Sequence, residues 1–542
     1  MRKIQLLDCT LRDGGYVNDW EFGHNYLINI YERLLESETD IIELGFLDDR
    51  RPLDINRSIM PNTECMQKIY GHVKNNHAML VGMIDYGTCN MKNIQPCEES
   101  CLDGIRVIFK KHIMHEAMAF CAELKKKGYK VFSQLVSITS YSDEELMEVI
   151  KLANEVEPYA ISMVDTYGLL QPRDLLHYYD LLDKYVDEKI GIGFHAHNNL
   201  QLAYANVLAF MEKTTKHDIV VDGTIYGMGK SAGNAPIELL MMELNQTYGK
   251  DYNINAILEA TEESIMDFYT RSPWGYKTFF YLSALNKCHP NYVSFYQKKM
   301  NLSASKVNQV LERIEPEEKK LLYDKNVAES NYNQFVCDNF KESENYKKLT
   351  EKIAGRNVLI IGPGKNILLQ RESVVEYILE TSPFIISVNF IPENYNVDAV
   401  FSTKGSRWMQ MSDVLYQEKN QNVEVIATSN IEPKEKKFTY VFDRTPLLEK
   451  NEKIIDNSFL MLLNILKNCN IENVACAGLD GYSDKEDNYI NPRMEYAFIK
   501  SEAGYLNNYI KAALLKFNEK MKIEFITYSH YTEIEDCHSA TF

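Results

Sequence analysis

At 542 residues, with 45% apolar and 25% charged side chains, the chain has the balance of a soluble globular protein and the length of two to four domains. A net charge of −18 disfavours nonspecific binding to nucleic acid, and no run of eighteen apolar residues offers a membrane span. Eleven cysteines without a C-x-x-C pair argue against a zinc ribbon or a disulfide scaffold; with no apolar signal region ahead of the first strand, the expectation is a reduced, cytoplasmic protein.

The first predicted element runs straight into "LLDCTLRDGGYVNDW", where an apolar strand delivers Arg12 and Asp13, side by side, into a glycine pair. β-branched, apolar runs then begin near Ile4, Ile41, Met79, Ile105, Val131, Ala160, Ile190 and Ile219, at the spacing of successive βα units. Helical periodicity fills most of the gaps, as in Ile113 to Lys127, Ser142 to Glu157 and Pro172 to Val186. The strands are continuous apolar runs rather than alternating ones, which suits a parallel sheet covered on both faces. Eight such units within about 250 residues predict a (β/α)8 barrel, with an open doubly wound sheet as the alternative.

A barrel places its chemistry at the C-terminal ends of its strands, and polar residues gather there. Arg12 and Asp13 close the first strand, Glu43 lies in "IIELGF", Gln134 in the fifth strand, and Asp165 and Thr166 end the sixth. In "FHAHNN", His195 and His197 stand two apart on a strand and so point to one side. Two inward imidazoles need partners: a divalent metal is one, a hydrogen-bonded network the other. "GMGKSAGNAP", Gly227 to Pro236, is either an anion-binding loop or a tight βα turn, with Asn234 at a helix start and Lys230 in the loop.

Taken together, "LLDCTLRDG", "IIELGF", "FHAHNNLQLAYAN" and "VDGTIYGMGKSAGNAP" resemble the DRE-TIM metallolyases, the HMG-CoA lyase-like superfamily, over roughly residues 3 to 245. The doubled Asn and the "GNAP" ending are most similar to the 4-hydroxy-2-oxovalerate aldolase branch; the Claisen-type synthases more usually carry Asn-Asp after the histidines. The resemblance implies a divalent metal (Mn2+ or Mg2+ first, Co2+ or Zn2+ as alternatives) on Asp13, His195 and His197, sometimes with Asn234. It implies a pyruvate-type 2-oxo acid as substrate and an aldehyde as its partner, with Arg12 stabilising an enolate and Glu43 holding Arg12. Gln134, Thr166 and Lys230 are the candidate substrate contacts, Lys230 hinting at an acidic or phosphorylated partner. The chain departs from the aldolase pattern at Tyr16, where the family carries a catalytic histidine. A tyrosine acts as a base there only if its pKa is lowered; His24 or a metal-bound water are the other choices. A Claisen-type acyltransferase using acetyl-CoA, and a non-catalytic barrel serving a ligand-binding C-terminal domain, are the alternative readings.

Residues 1–250 are therefore assigned to the barrel and 251–340 to an aromatic-rich helical extension over the active site, with Tyr276 or Tyr292 as possible donors to it. The charged stretch 341–352 reads as a linker, and 353–542 as a Rossmann-like α/β domain. In "NVLIIGPGKN", Gly362 and Gly364 follow the first strand of that domain and predict a phosphate site, with Asp480 as a ribose or sugar contact. The fingerprint is incomplete, since Ile367 replaces its third glycine. A nucleotide or nucleotide sugar is the expected ligand, and a homo-oligomer the expected assembly.

Overall fold

The computed structural model describes residues 2–299, 302–316, 318–433, 437–451, 453–495 and 498–532. The chain divides into two compact units, Met1–Pro290 with Lys320–Leu322, and Asn291–Lys319 with Tyr323–Phe542.

In the first unit, β1 (Ile4–Asp8), β2 (Ile41–Leu47), β3 (Ile59–Met60), β4 (Met79–Asp85), β5 (Gly104–Phe109), β6 (Lys130–Leu135), β7 (Ala160–Asp165), β8 (Gly191–Ala196) and β9 (Ile219–Gly223) run parallel. β1 pairs with both β2 and β9, closing eight strands into a (β/α)8 barrel; the two-residue β3 is an addition beside β2 that its length hid in the sequence. Expected helices form at Met114–Lys126, Asp143–Val156 and Pro172–Tyr185. The second of these starts with a capping box between Ser142 and Glu145, and the third has proline in its first turn.

The barrel explains why its strands read as unbroken apolar runs. Outward residues such as Leu6, Ile42, Val107, Val131, Met163, Phe194 and Val221 pack against the helices in one large core. Inward residues at the N-terminal end of the barrel, among them Leu7, Ile41, Val81, Phe132, Ala160 and Val220, form a separate apolar cluster. Two residues further along several strands the inward face turns polar: Ile41 is followed by Glu43, Phe132 by Gln134, Ala160 by Ser162 and Val220 by Asp222, all buried. That apolar floor is what makes the polar ring above it organise itself by pairing rather than by hydration.

In the second unit, β10 (Val358–Ile361), β11 (Phe384–Val388), β12 (Ala399–Ser402), β13 (Glu424–Thr428), β14 (Tyr440–Phe442), β15 (Asn473–Ala477) and β16 (Lys522–Phe525) form a parallel sheet in the order β14-β13-β12-β11-β10-β15-β16. This is an open α/β sheet. One sequence expectation changes here. The charged stretch 341–352 is not a linker: it lies in the helix Glu342–Ile353, which buries Leu349 and Ile353 in the core of this unit. Charges on its outer face concealed an apolar stripe of helical spacing. The edge strand Lys522–Phe525 alternates exposed and half-buried residues rather than forming an apolar run. Among the described residues, no helix is long and apolar enough to cross a membrane.

Candidate metal centre and active site

The turn after β1 builds the first half of the site. Asp8 accepts from the Thr10 amide at 2.9 Å and from its hydroxyl at 2.7 Å, which starts the short helix Thr10–Asp13 directly off the strand. The indole of Trp20 folds back and donates to the Arg12 carbonyl at 2.7 Å. A Cβ on Gly15 would fall 2.0 Å from that indole, so Gly15 lets Trp20 cover the turn. Arg12 and Asp13 are thereby buried together. Arg12 Nε donates to Glu43 Oε2 at 2.8 Å, and its Nη1 pairs with Asp13 Oδ2.

The second half comes from β8 and the loop after β9. His195 Nε2 stands 3.5 Å and His197 Nε2 3.9 Å from Asp13 Oδ2. Asn234 donates to Asp13 Oδ1 at 3.0 Å, and the Lys230 amide donates to the same oxygen at 2.9 Å. The loop glycine Gly229 admits this approach, since a Cβ there would sit 2.2 Å from Asn234 Nδ2 and 2.7 Å from Asp13 Oδ1.

Ligand atoms of Asp13, His195 and His197 all lie within 4.8 Å of one another in a buried setting. His195 Nε2 and Asn234 Oδ1 are buried without a hydrogen-bond partner, which a polar group in a protein interior rarely tolerates. Burial drives the His197 pKa down to about 3, so its ring is neutral and offers a lone pair. Burial opposes ionisation of Asp13, but Arg12 and the two imidazoles outweigh it and hold the carboxyl well below its usual range. An anionic oxygen, imidazole nitrogens and an amide oxygen fit a divalent cation of borderline to hard character. Cys9, His195 and Asp222 form a second group of the same compactness. It fits a metal less well, because burial keeps Cys9 a thiol and Asp222 is already taken by two partners.

Those partners are what sequence reasoning missed. Asp222 accepts from His195 Nδ1 at 2.9 Å and pairs with Arg106, whose Nη1 lies 3.1 Å from Glu43 Oε2. A buried chain of charges, Asp13–Arg12–Glu43–Arg106–Asp222–His195, thus closes on itself beneath the ligand atoms. It fixes the His195 tautomer so that Nε2 faces Asp13. An arginine inside an apolar strand, "GIRVIF", was the available signal for Arg106.

The remaining predicted residues are placed as follows. Gln134 accepts from Arg106 at 3.1 Å and donates to Ser162 at 3.0 Å, knitting neighbouring strands together, and Thr166 accepts from the Ser137 amide at 2.8 Å, tying the loops after β7 and β6. The Lys230 ammonium lies 5.4 Å from the ring centres of both Tyr16 and Tyr167, and burial lowers its pKa. Tyr16 does not have the lowered pKa that a base needs: burial and the charge of Asp13 push it up to about 12. Trp274 donates to the Tyr226 carbonyl at 2.8 Å, so the first part of the helical extension packs on the loop after β9. Tyr276 is exposed, while Tyr292 is buried in the other unit, where its hydroxyl donates to the Lys319 carbonyl.

Residues 3–263 match the family described as HMGL-like. Oxaloacetate decarboxylase of Mycobacterium tuberculosis is 26% identical over 51% of this chain and 79% of its own length. 4-Hydroxy-2-oxovalerate aldolase of Pelotomaculum thermopropionicum is 25% identical, covering 48% and 75%. 2-Isopropylmalate synthase of Sulfolobus acidocaldarius is 24% identical, covering 47% and 66%. Among solved structures, the HMG-CoA lyase from Brucella melitensis aligns with a TM-score of 0.41 at 14% identity, over 49% of this chain and 99% of that one.

Proposed function

Because the barrel domain belongs to the HMGL-like family of DRE-TIM metallolyases, we propose that it is a metal-dependent aldolase joining or cleaving the bond between a pyruvate-type 2-oxo acid and an aldehyde. The observation that carries this reading is the Asp13 carboxylate, set between a buried arginine and two imidazole nitrogens. A divalent ion held by Asp13, His195 and His197, with Asn234 beside them, would supply Lewis-acid polarisation of the 2-oxo acid.

The chain's own residues do the rest. Glu43 grips Arg12 through Nε and so aims the guanidinium fork, whose free N–H groups stabilise the enolate oxygen. Tyr16, kept protonated by its raised pKa, serves the acceptor oxygen as a hydrogen-bond donor rather than as a base. Lys230 faces the mouth between two tyrosine rings and selects an acceptor with an anionic group.

The test is incubation with pyruvate in heavy water, which needs no knowledge of the aldehyde. Wild-type protein should exchange the methyl protons. Arg12→Lys keeps the charge but loses the fork, and exchange should fall by about 10²-fold. Unchanged exchange would reduce Arg12 to a structural ion pair. The likeness to 2-isopropylmalate synthase supports a second reading, Claisen condensation with acetyl-CoA. Release of free CoA from acetyl-CoA and a 2-oxo acid would select it, against the Asn198-Asn199 pair that favours the aldolase.

A further inference from the structure

The second domain was expected to hold a phosphate at its glycine turn, and that turn is already spent. Gly362 and Gly364 donate their amides to the Ala477 and Gly478 carbonyls, each at 2.8 Å, and the Asn366 amide donates to Asp480 Oδ2 at 2.8 Å. The glycines are there for close packing: a Cβ on Gly362 would lie 2.4 Å from the Gly478 carbonyl, and one on Gly364 would lie 2.4 Å from Asp480. A carboxylate fills the place assigned to the phosphate.

The cavity lies alongside. The chain builds the sheet outward from β10 to β14 and then returns to the other side of β10 as β15, so the strand order switches between β10 and β15. At such a point the loops part and leave a crevice beyond the carboxyl ends of the strands. Here it is a cavity of about 150 Å³, lined from Pro363 after β10, Asn389 after β11, Lys404 after β12, and the loop from Gly478 to Tyr482 after β15.

Its two sides differ in chemistry. On one, two helices of eleven residues each, Gly405–Leu415 and Ser458–Asn468, begin next to one another. Thr403 and Ser458 share a hydrogen bond of 2.6 Å, which ties the two N-termini together, and Asn389 donates to Ser458 at 2.8 Å. The helix starting at Gly405 has no side-chain cap, and Gly405 faces open space. Lys404 and Arg407 line the same side; Arg407 is only 8% exposed. Lys404 is partly neutralised by Asp456 at 3.0 Å, a carboxylate that an incoming anion would displace. On the other side, Tyr482, Tyr489 and Tyr531 line the wall together with Asn457. Asp480 lines this part too, and its Oδ1 is buried with no hydrogen-bond partner.

We propose that this cavity binds a phosphate ester of a hydroxylated ring, with the phosphate at the paired helix N-termini beside Lys404 and Arg407 and a ring hydroxyl on Asp480 Oδ1. Two converging helix dipoles and two cations favour a dianion. A buried carboxylate oxygen without a donor is satisfied by a ligand O–H. Nucleotides and sugar phosphates share this chemistry.

The experiment is calorimetric titration of the full-length chain with UDP, ADP, ribose 5-phosphate and unphosphorylated adenosine. At least one phosphate ester should bind and adenosine should not; the tighter class, nucleotide or sugar phosphate, then identifies the ring. Gly405→Asp meets no atom within 4 Å and adds a negative charge at the start of the helix, next to Lys404 of the cavity wall. It should weaken ester binding at least tenfold while leaving the melting curve intact. Lys404→Met should weaken it in the same direction and serves if Gly405→Asp fails to fold. Absence of heat with every ester, or equal binding by wild type and both variants, would overturn the proposal.

Discussion

The barrel and the C-terminal sheet both carry their polar residues at the carboxyl ends of parallel strands, yet they make different kinds of site. In the barrel, closure turns every strand's last inward residue toward one axis, so charges from β1, β2, β5, β8 and β9 meet and neutralise one another in a ring. In the open sheet no common axis exists, and the cavity forms where the strand order switches. Closure produces a buried charge network around a few ligand atoms; the switch point produces a crevice lined by loops. The lesson is that sheet topology, more than residue composition, decides which chemistry a strand end can host.

The sharpest way to break this comparison is to remove a ligand atom from the ring. His195→Ala takes away both the Nε2 facing Asp13 and the partner of Asp222. Divalent metal measured by atomic emission should fall to background, and enolisation of pyruvate should drop by about 10³-fold, as expected when several kcal/mol of electrostatic stabilisation is lost. Full metal occupancy in that variant would mean the ring holds no ion.

A second test uses pH. Burial raises the pKa of Asp165 to about 7, against hydrogen bonds from the Leu169 and Leu170 amides at 2.7 and 3.1 Å that favour its charge. Its folded-state pKa exceeds the unfolded value, so the folded barrel binds the extra proton between about pH 4 and 7. Stability from this group is therefore present at low pH and lost as pH rises through 7, by about 2–4 kcal/mol. Denaturant melts at pH 5 and pH 8 should show that slope in wild type and a flatter one in Asp165→Asn. An unchanged slope would assign the pH dependence to other carboxyls, with Asp8, also raised to about 7, the first to try.

The barrel was the more legible region, for a physical reason. Its candidate ligands are spaced locally: the period of a strand puts His195 and His197 on one side, and Asp13 follows Arg12 in the short helix after β1. Arg106 and Asp222 were harder, because a lone charge in an apolar strand shows its meaning only when partners from β2 and β8 are in place. Of the C-terminal cavity only Asp480 was legible. The cavity draws on Asn389, Lys404, Ser458 and Asp480, far apart in the sequence and joined by the strand order. The local motif that could be read, Gly362-Pro363-Gly364, proved to be packing.

Lys230 tests whether the barrel's mouth shares the ring's electrostatics. Its ammonium sits between the Tyr16 and Tyr167 rings, 5.4 Å from the centre of each. If it receives an anionic acceptor, Lys230→Met should lower kcat/KM for charged aldehydes by about 10–100-fold, the value of a hydrogen bond to a charged group. Uncharged aldehydes should be affected little. An equal loss for both would make Lys230 a support for Asp13 through its backbone rather than a specificity residue.

The smallest effects fall in the second domain, where two glycines in similar-looking loops should respond in opposite directions. Gly364 abuts Asp480, so Gly364→Val must push the carboxylate off the Asn366 amide and should destabilise the domain by about 1–3 kcal/mol. Gly405 begins a helix with nothing within 4 Å of its would-be Cβ and no left-handed backbone. Gly405→Ala should therefore stabilise by about 0.4–1 kcal/mol, chiefly by restricting the unfolded chain. Denaturant midpoints of the full-length protein would show the two shifts. If both glycines destabilise alike on substitution, the loop after β12 is packed as tightly as the loop after β10, and the contrast between a spent turn and an open helix start fails.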